Sequence, residues 1–216
     1  GAFQTPVAEI KTDAAEEIEK ISEAIHRAVR LERQRDILVD PAYGIEQLEM
    51  IRWTSISTAK SNPAPGLLTI YSLRDIYARW FVREEEAGAA EEKEAALAVV
   101  YKDNTPAELL NAFETLAVVS SESMQHQNYI AVLDTFTGIF ERLPNDKQKE
   151  IEDRILRILP ALGDHVLTTE LDAALTALIT RLRQAQRGAT AQAVQSARDT
   201  LAQSIGKLNS RATRVS

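Results

Sequence analysis

Apolar residues recur every third or fourth position through most of this chain, and no other feature constrains its fold as much. Tyr129, Leu133, Phe136, Phe140 and Leu143 form one series, Ile151, Ile155, Ile158 and Leu162 a second, and Leu171, Leu175, Leu178 and Leu182 a third. At 3.6 residues per turn each series lies along one side of a helix, and that side must be buried against another element. Ile18, Ile21, Ile25 and Val29 give an earlier stripe, Leu109, Phe113 and Leu116 a middle one, and Val194, Ala197, Leu201, Ile205 and Leu208 the last. Only Leu97–Tyr101, LAVVY, is strand-like. With no partner strand in view it reads equally as an extended connector. The expected fold is mainly α: a single multi-helix bundle of about seven helices, with at most one short strand near 97–101.

Punctuation between the stripes supports this. Asp13 with Glu16 forms a capping box, Thr105-Pro106 opens a helix, Asp146 caps one after Pro144-Asn145, and Thr168 or Thr169 caps the next. Residues 84–94, EEEAGAAEEKE, read as a solvated helix end or linker. Gly188 breaks the chain before the final helix. The organisation is then a lead-in over 1–11, a helical domain over 12–186 and a C-terminal helix over 187–216. That last helix either packs on the bundle or projects as an arm that dimerises, making a homo-oligomer.

The segment Asp40–Pro63, DPAYGIEQLEMIRWTSISTAKSNP, carries the most local information. Asp40 supplies a side-chain acceptor at a helix start, and Pro41 pre-sets φ at the first helical position. Ile45, Leu48 and Ile51 follow at helical spacing. After Trp53 the apolar pattern stops, so residues 53–62 read as a polar hinge. Asn62-Pro63 repeats the opening device for a helix built on Leu67, Ile70, Leu73, Tyr77 and Trp80. Six of the twelve aromatics lie between Tyr43 and Phe81, which suggests the best-packed part of the domain.

This segment resembles the C-terminal soluble region of the domain-of-unknown-function 2254 family, a group of predicted bacterial membrane proteins. The family pattern runs D-P-A-[FY]-G-I-x-Q-L and, nine residues on, S-P-[AG]-x-N-D-P. Asp40, Pro41, Ala42, Tyr43, Gly44, Ile45, Gln47 and Leu48 match the first half; Ser57, Ala59 and Pro63 match the second. Thr58, Ser61 and Asn62 replace the proline, asparagine and acidic residue, so this chain lacks any carboxylate function of that hinge. TPAELLNAF and DKQKEIEDRI resemble the family more loosely, extending the likeness over 15–185. The resemblance implies transmembrane helices ahead of residue 1 and a domain tethered to the membrane through them, on its cytoplasmic side.

Composition narrows the function. A net charge of −7 argues against nucleic acid as a partner, because phosphate attraction needs a basic surface. With no cysteine there is neither a disulfide nor a thiolate metal site. No apolar run approaches the roughly 18 residues of a membrane helix. Ser57 and Lys60 match S-x-x-K, but its companion motifs are absent. Glu23 and His26 make one E-x-x-H, where a di-iron site needs two. His126 and His165 stand apart from any matching cluster. No catalytic residue, metal site or cofactor is expected.

His26, Arg27, Arg30, Arg33 and Arg35 form the main basic concentration. A solvated helix face paired with Glu23 and Glu32 is the plain reading. The functional alternative brings Arg27 and Arg30 to the polar hinge, where Ser55, Ser57, Thr58, Lys60 and Asn62 would complete a ligand-binding site; lipid headgroups are another anion for the same face. Two functions remain: a non-catalytic interaction or regulatory domain, or a ligand-sensing or enzymatic domain using residues 53–62.

Overall fold

Eight α-helices and one 3-10 segment carry the computed structural model, which describes residues 17–28, 35–38, 40–58, 62–91 and 104–204. They are α1 (Ile18–Ala28), α2 (Pro41–Thr58), α3 (Ala64–Glu91), α4 (Thr105–Glu122), α5 (His126–Phe140), α6 (Asn145–Ile158), the 3-10 segment Leu159–Asp164, α7 (Thr169–Gln184) and α8 (Gly188–Gln203). The architecture is a multi-helix bundle, with no strand among the described residues. The 97–101 run and the Asp13–Glu16 box lie outside them.

The core sits in the second half. α4 packs on α2, α5 and α6; α5 also meets α3 and α7; α8 lies along α7 and the 3-10 segment. Every residue of the Leu171, Leu175, Leu178, Leu182 stripe is fully buried, as are Ile151, Ile155 and Ile158. A chain of edge-to-face rings crosses three helices: Tyr77 to Phe113 at 6.5 Å, then Phe113 to Phe136 at 5.9 Å. Such pairs add stabilisation beyond area burial alone. Charged pairs stitch the perimeter, among them Arg154 to Glu114 (2.5 Å) and Arg198 to Asp172 (2.7 Å).

Several local expectations are corrected. The aromatic-rich 40–81 segment is not the best-packed part: Tyr77 is buried, whereas Trp53 is 53% and Ile51 64% exposed. The reason is geometric. α2 buries Ile45 and leans Leu48 on the core, but Ile51 falls on a side that meets no core stripe. The polar hinge is shorter than its composition suggests, because α2 continues to Thr58. Thr54 shows how: its hydroxyl donates to the Met50 carbonyl one turn back (3.0 Å), satisfying itself within the helix. Asp146 is not a cap, since α6 begins at Asn145 and the Gln148 amide already donates to the Pro144 carbonyl.

Gly188 is likewise not the breaker; it is the first residue of α8. The break falls at Gln186, which takes φ 62°. The Arg187 amide reaches the Leu182 carbonyl at 2.8 Å and the Gln186 amide the Arg183 carbonyl at 3.0 Å, a Schellman end. α4 ends the same way, with Met124 at φ 55° and the Gln125 amide on the Ser120 carbonyl at 2.8 Å. Two non-glycine residues therefore hold the left-handed conformation that glycine adopts at no steric cost.

Candidate functional site

The Asp40 block is a self-contained clamp. Asp40 Oδ1 accepts from the Tyr43 amide (3.0 Å), tying the first turn of α2 behind Pro41. Arg35 donates to Asp40 Oδ2 (2.8 Å) and to both Glu46 oxygens (2.7 and 2.6 Å), and its guanidinium lies 4.9 Å from the centre of the Tyr43 ring. The Arg35 hydrogen bond, then the Tyr43 amide, hold the Asp40 carboxyl below its ordinary range. A Cβ on Gly44 would press on Ile37 Cγ1 at 3.3 Å, so the glycine admits the incoming chain close to α2. The D-P-A-Y-G pattern thus fixes how α2 begins.

The described members of the proposed ligand set lie on α1, on α2 and at the start of α3. Arg27 pairs with Glu23 one turn back (3.0 Å), well exposed, and α1 packs on no other described helix. Ser55, Ser57 and Thr58 occupy the last turn of α2. Asn62 Oδ1 accepts from the Ala64 amide (3.1 Å) at the start of α3, directly before Pro63. Arg30 and Lys60 lie outside the described residues. His26 bonds the Ser22 carbonyl of its own helix (2.8 Å).

What the sequence did not disclose is a buried polar cluster where α4 turns into α5. His126, the first residue of α5, and His165, between the 3-10 segment and α7, meet Nδ1 to Nδ1 at 2.6 Å although 39 residues separate them. His165 Nε2 lies 2.7 Å from the Ser121 hydroxyl, which also bonds the Ala117 carbonyl at 3.1 Å. The Tyr129 ring lies 4.4 Å from His165, tilted at 45° to it, and its hydroxyl donates to the Ile158 carbonyl (2.9 Å). Burial pushes both histidines down, His165 to about 4, with the charge of His126 adding to the effect there.

Serine, histidine and an orienting third group are the parts of a nucleophilic triad. Here they are sealed. Ser121 is 1% and His165 4% exposed, so no substrate carbonyl reaches the hydroxyl. Ser121 also sits in the last turn of α4, where the helix dipole opposes a developing oxyanion. The cluster's chemistry is proton placement, and the hydroxyl settles it. Ser121 donates to the Ala117 carbonyl, as helical serines do, so His165 Nε2–H donates to Ser121, and His165 Nδ1 accepts from His126 Nδ1–H.

The same turn joins the two halves of the molecule. Asn128 Nδ2 donates to Gln125 Oε1 (2.5 Å), and the Asn128 side chain lies on Gly66 in the first turn of α3. A Cβ at Gly66 would meet Asn128 atoms at 2.1–2.5 Å. Elsewhere on the surface, Trp53 borders a groove of about 530 Å³ with Glu114, Val118, Arg154 and Arg157.

The family model for predicted membrane proteins of the DUF2254 group matches residues 2–132. The chain belongs to that family. The match holds the Asp40 clamp, the Gly66–Asn128 contact and His126; it ends inside α5, so DKQKEIEDRI in α6 and the partner histidine His165 lie beyond it. The looser likeness to residue 185 is not supported past 132. No curated protein and no solved structure matches the chain significantly. Among the described residues no helix is long and apolar enough to cross a membrane, and no group of three or more potential ligands from His, Cys, Asp and Glu converges as for a metal ion.

Proposed function

We propose that this DUF2254 chain is a helical docking and regulatory domain of its membrane protein, without catalysis of its own, and that it docks through its α1–α3 half. One observation carries the reading: α2 and α3 display large apolar side chains at the surface, Met50 and Trp53 on one and Leu68, 70% exposed, on the other. Trp53 borders the groove together with Arg157, and tryptophan and arginine are the residue types enriched at interface hot spots. Helix α1 agrees with this. An isolated helix of its length is marginal in water, so its isoleucine stripe calls for a partner surface. The polar residues proposed for ligand sensing gain no comparable support: Arg27 is engaged in a local ion pair and Asn62 in helix capping.

Because the chain has no cysteine, single introduced thiols report cleanly on exposure. Cysteine at 53 or 68 should react readily in the isolated domain and be protected in the membrane-embedded full-length protein, while cysteine at exposed Arg183 on α7 reacts in both. Equal reactivity at 53 and 68 in both preparations would overturn the reading. The cytoplasmic placement that belongs to this proposal is tested with the same position-183 variant in intact cells. A membrane-impermeant reagent should fail to label it until the cells are opened.

A further inference from the structure

We propose that His126 and His165 form a proton-operated latch that holds the start of α5 to the connection before α7 and releases it on acidification. The inference goes beyond docking and stands independently of it, because it concerns only how this chain responds to protons.

The proton inventory sets the order of events. In the neutral pair His126 Nδ1–H donates across the 2.6 Å contact, His165 Nε2–H donates to Ser121, and the only vacant ring nitrogen is His126 Nε2. His126 is the half-exposed partner, so the first proton enters there. It makes His126 an imidazolium that still donates to His165, and the contact becomes charge-assisted. The second proton has one place left, His165 Nδ1, in the line of the contact itself. Two N–H groups and two positive charges would then face each other at that distance, and the rings must part. One proton tightens the latch and two open it, so the pair titrates as a unit rather than as two histidines.

The surroundings leave the second charge without compensation. α4 presents the Ser121 hydroxyl to His165, and α5 presents His126 and the Tyr129 ring. Ile158 and Leu162, on the chain leading to His165, are apolar and buried. Glu122, Asp164 and Glu170, the nearest carboxylates along the chain, are exposed, and among the described residues no carboxylate pairs with either ring. Burial and the His126 charge together hold His165 protonation down to about 4. When the latch opens, the turn from Ser121 to Tyr129 loosens, and with it Asn128, the residue that seats Gly66 of α3. The second proton, taken up at His165, is thereby communicated to the half of the molecule that displays the exposed apolar side chains.

The test is a side-chain histidine NMR titration of the whole chain, with amide hydrogen exchange at matched pH values corrected for intrinsic rates. The expected result is two separate steps assigned to His126 and His165, with His165 in the Nε2–H tautomer until the second. Across that second step exchange should rise at 121–129 and 162–168 while α7 and α8 stay protected. In His126→Gln, which adds no charge and whose amide can turn to accept from a protonated His165, the His165 step should move to higher pH and the rise in exchange across it should be lost. A single titration near the free-histidine value of about 6.5 would overturn the proposal, as would loss of protection everywhere at once or an unchanged opening in His126→Gln. If that variant does not fold, the wild-type tautomer and exchange data decide alone.

Discussion

The two halves of this chain use similar local sequence to different ends. In α4–α8 the described apolar stripes find facing stripes: Phe113, Tyr129, Phe136 and Phe140 are fully buried, α4 and α7 end in Schellman turns, and ion pairs run between helices. In α1–α3 only α1 carries a sharply one-sided stripe, and it meets no other described helix, whereas α2 and α3 spread their apolar residues around the helix and leave Trp53 and Leu68 at the surface. The halves differ in partners rather than in helix-forming power. A stripe satisfied within the chain gives a scaffold, and the side chains left exposed on α2 and α3 are the ones on which the proposed docking rests.

The largest expected effect tests that contrast directly. Phe113→Ala, at the centre of the ring chain, should cost about 3–5 kcal/mol in urea unfolding, whereas Trp53→Ala should stay within about 1 kcal/mol because the ring is half in solvent already. A Trp53 cost equal to that of Phe113 would erase the distinction between scaffold and surface.

Acid should find the second half first. The folded pKa of His165 lies below the unfolded value, so the unfolded chain binds more protons as pH falls. The contribution is complete above about pH 6.5, declines as pH falls toward the folded value and is flat below it, a total on the order of 3 kcal/mol. Urea midpoints measured between pH 7.5 and 4 should show this slope in the wild type and a reduced one in His165→Gln. Equal slopes would assign the acid sensitivity elsewhere.

The contact between the halves gives the next effect. Gly66→Ala forces a methyl into Asn128 and should destabilise by about 1–3 kcal/mol. Asn128→Ala alone also loses the bond to Gln125, so the informative quantity is the coupling: the double variant should be more stable than the sum of the singles implies. Strict additivity would mean that the halves do not bear on each other at this point. Smaller and opposite in sign, Met124→Gly and Gln186→Gly should each stabilise by about 1 kcal/mol by relieving left-handed strain. Smallest of all, Asp40→Ala should lower the melting temperature while Ser57→Ala hardly moves it, since Asp40 holds both the Tyr43 amide and Arg35.

Helix identity was legible because its causes are local. Apolar spacing, Pro41 after Asp40, and Thr168, whose hydroxyl accepts from the Leu171 amide at 3.2 Å, act over one turn of chain, so reading neighbours suffices. The same locality explains the errors. Thr54 and the residues after it looked like a hinge because their polarity was visible and the hydrogen bond to the preceding turn was not. Gly188 looked like the break because glycine is the usual left-handed residue, while Gln186 adopts that conformation under the pull of the Leu182 and Arg183 carbonyls.

The candidate site was hidden for a different reason. His126 and His165 have unremarkable neighbours in sequence, and nothing within four residues of either announces the other. Their meeting depends on α5 and α7 packing together and on the 3-10 segment turning the chain back toward α4. By itself, then, the sequence determined the helices, their order and the starts at Pro41, Thr105 and Thr169, since these follow from contacts between residues one turn apart. Which stripe found a partner, which aromatic stayed in solvent and which two histidines came to share a proton were decided by tertiary packing. An apolar stripe states that a side must be covered and carries no information about what covers it.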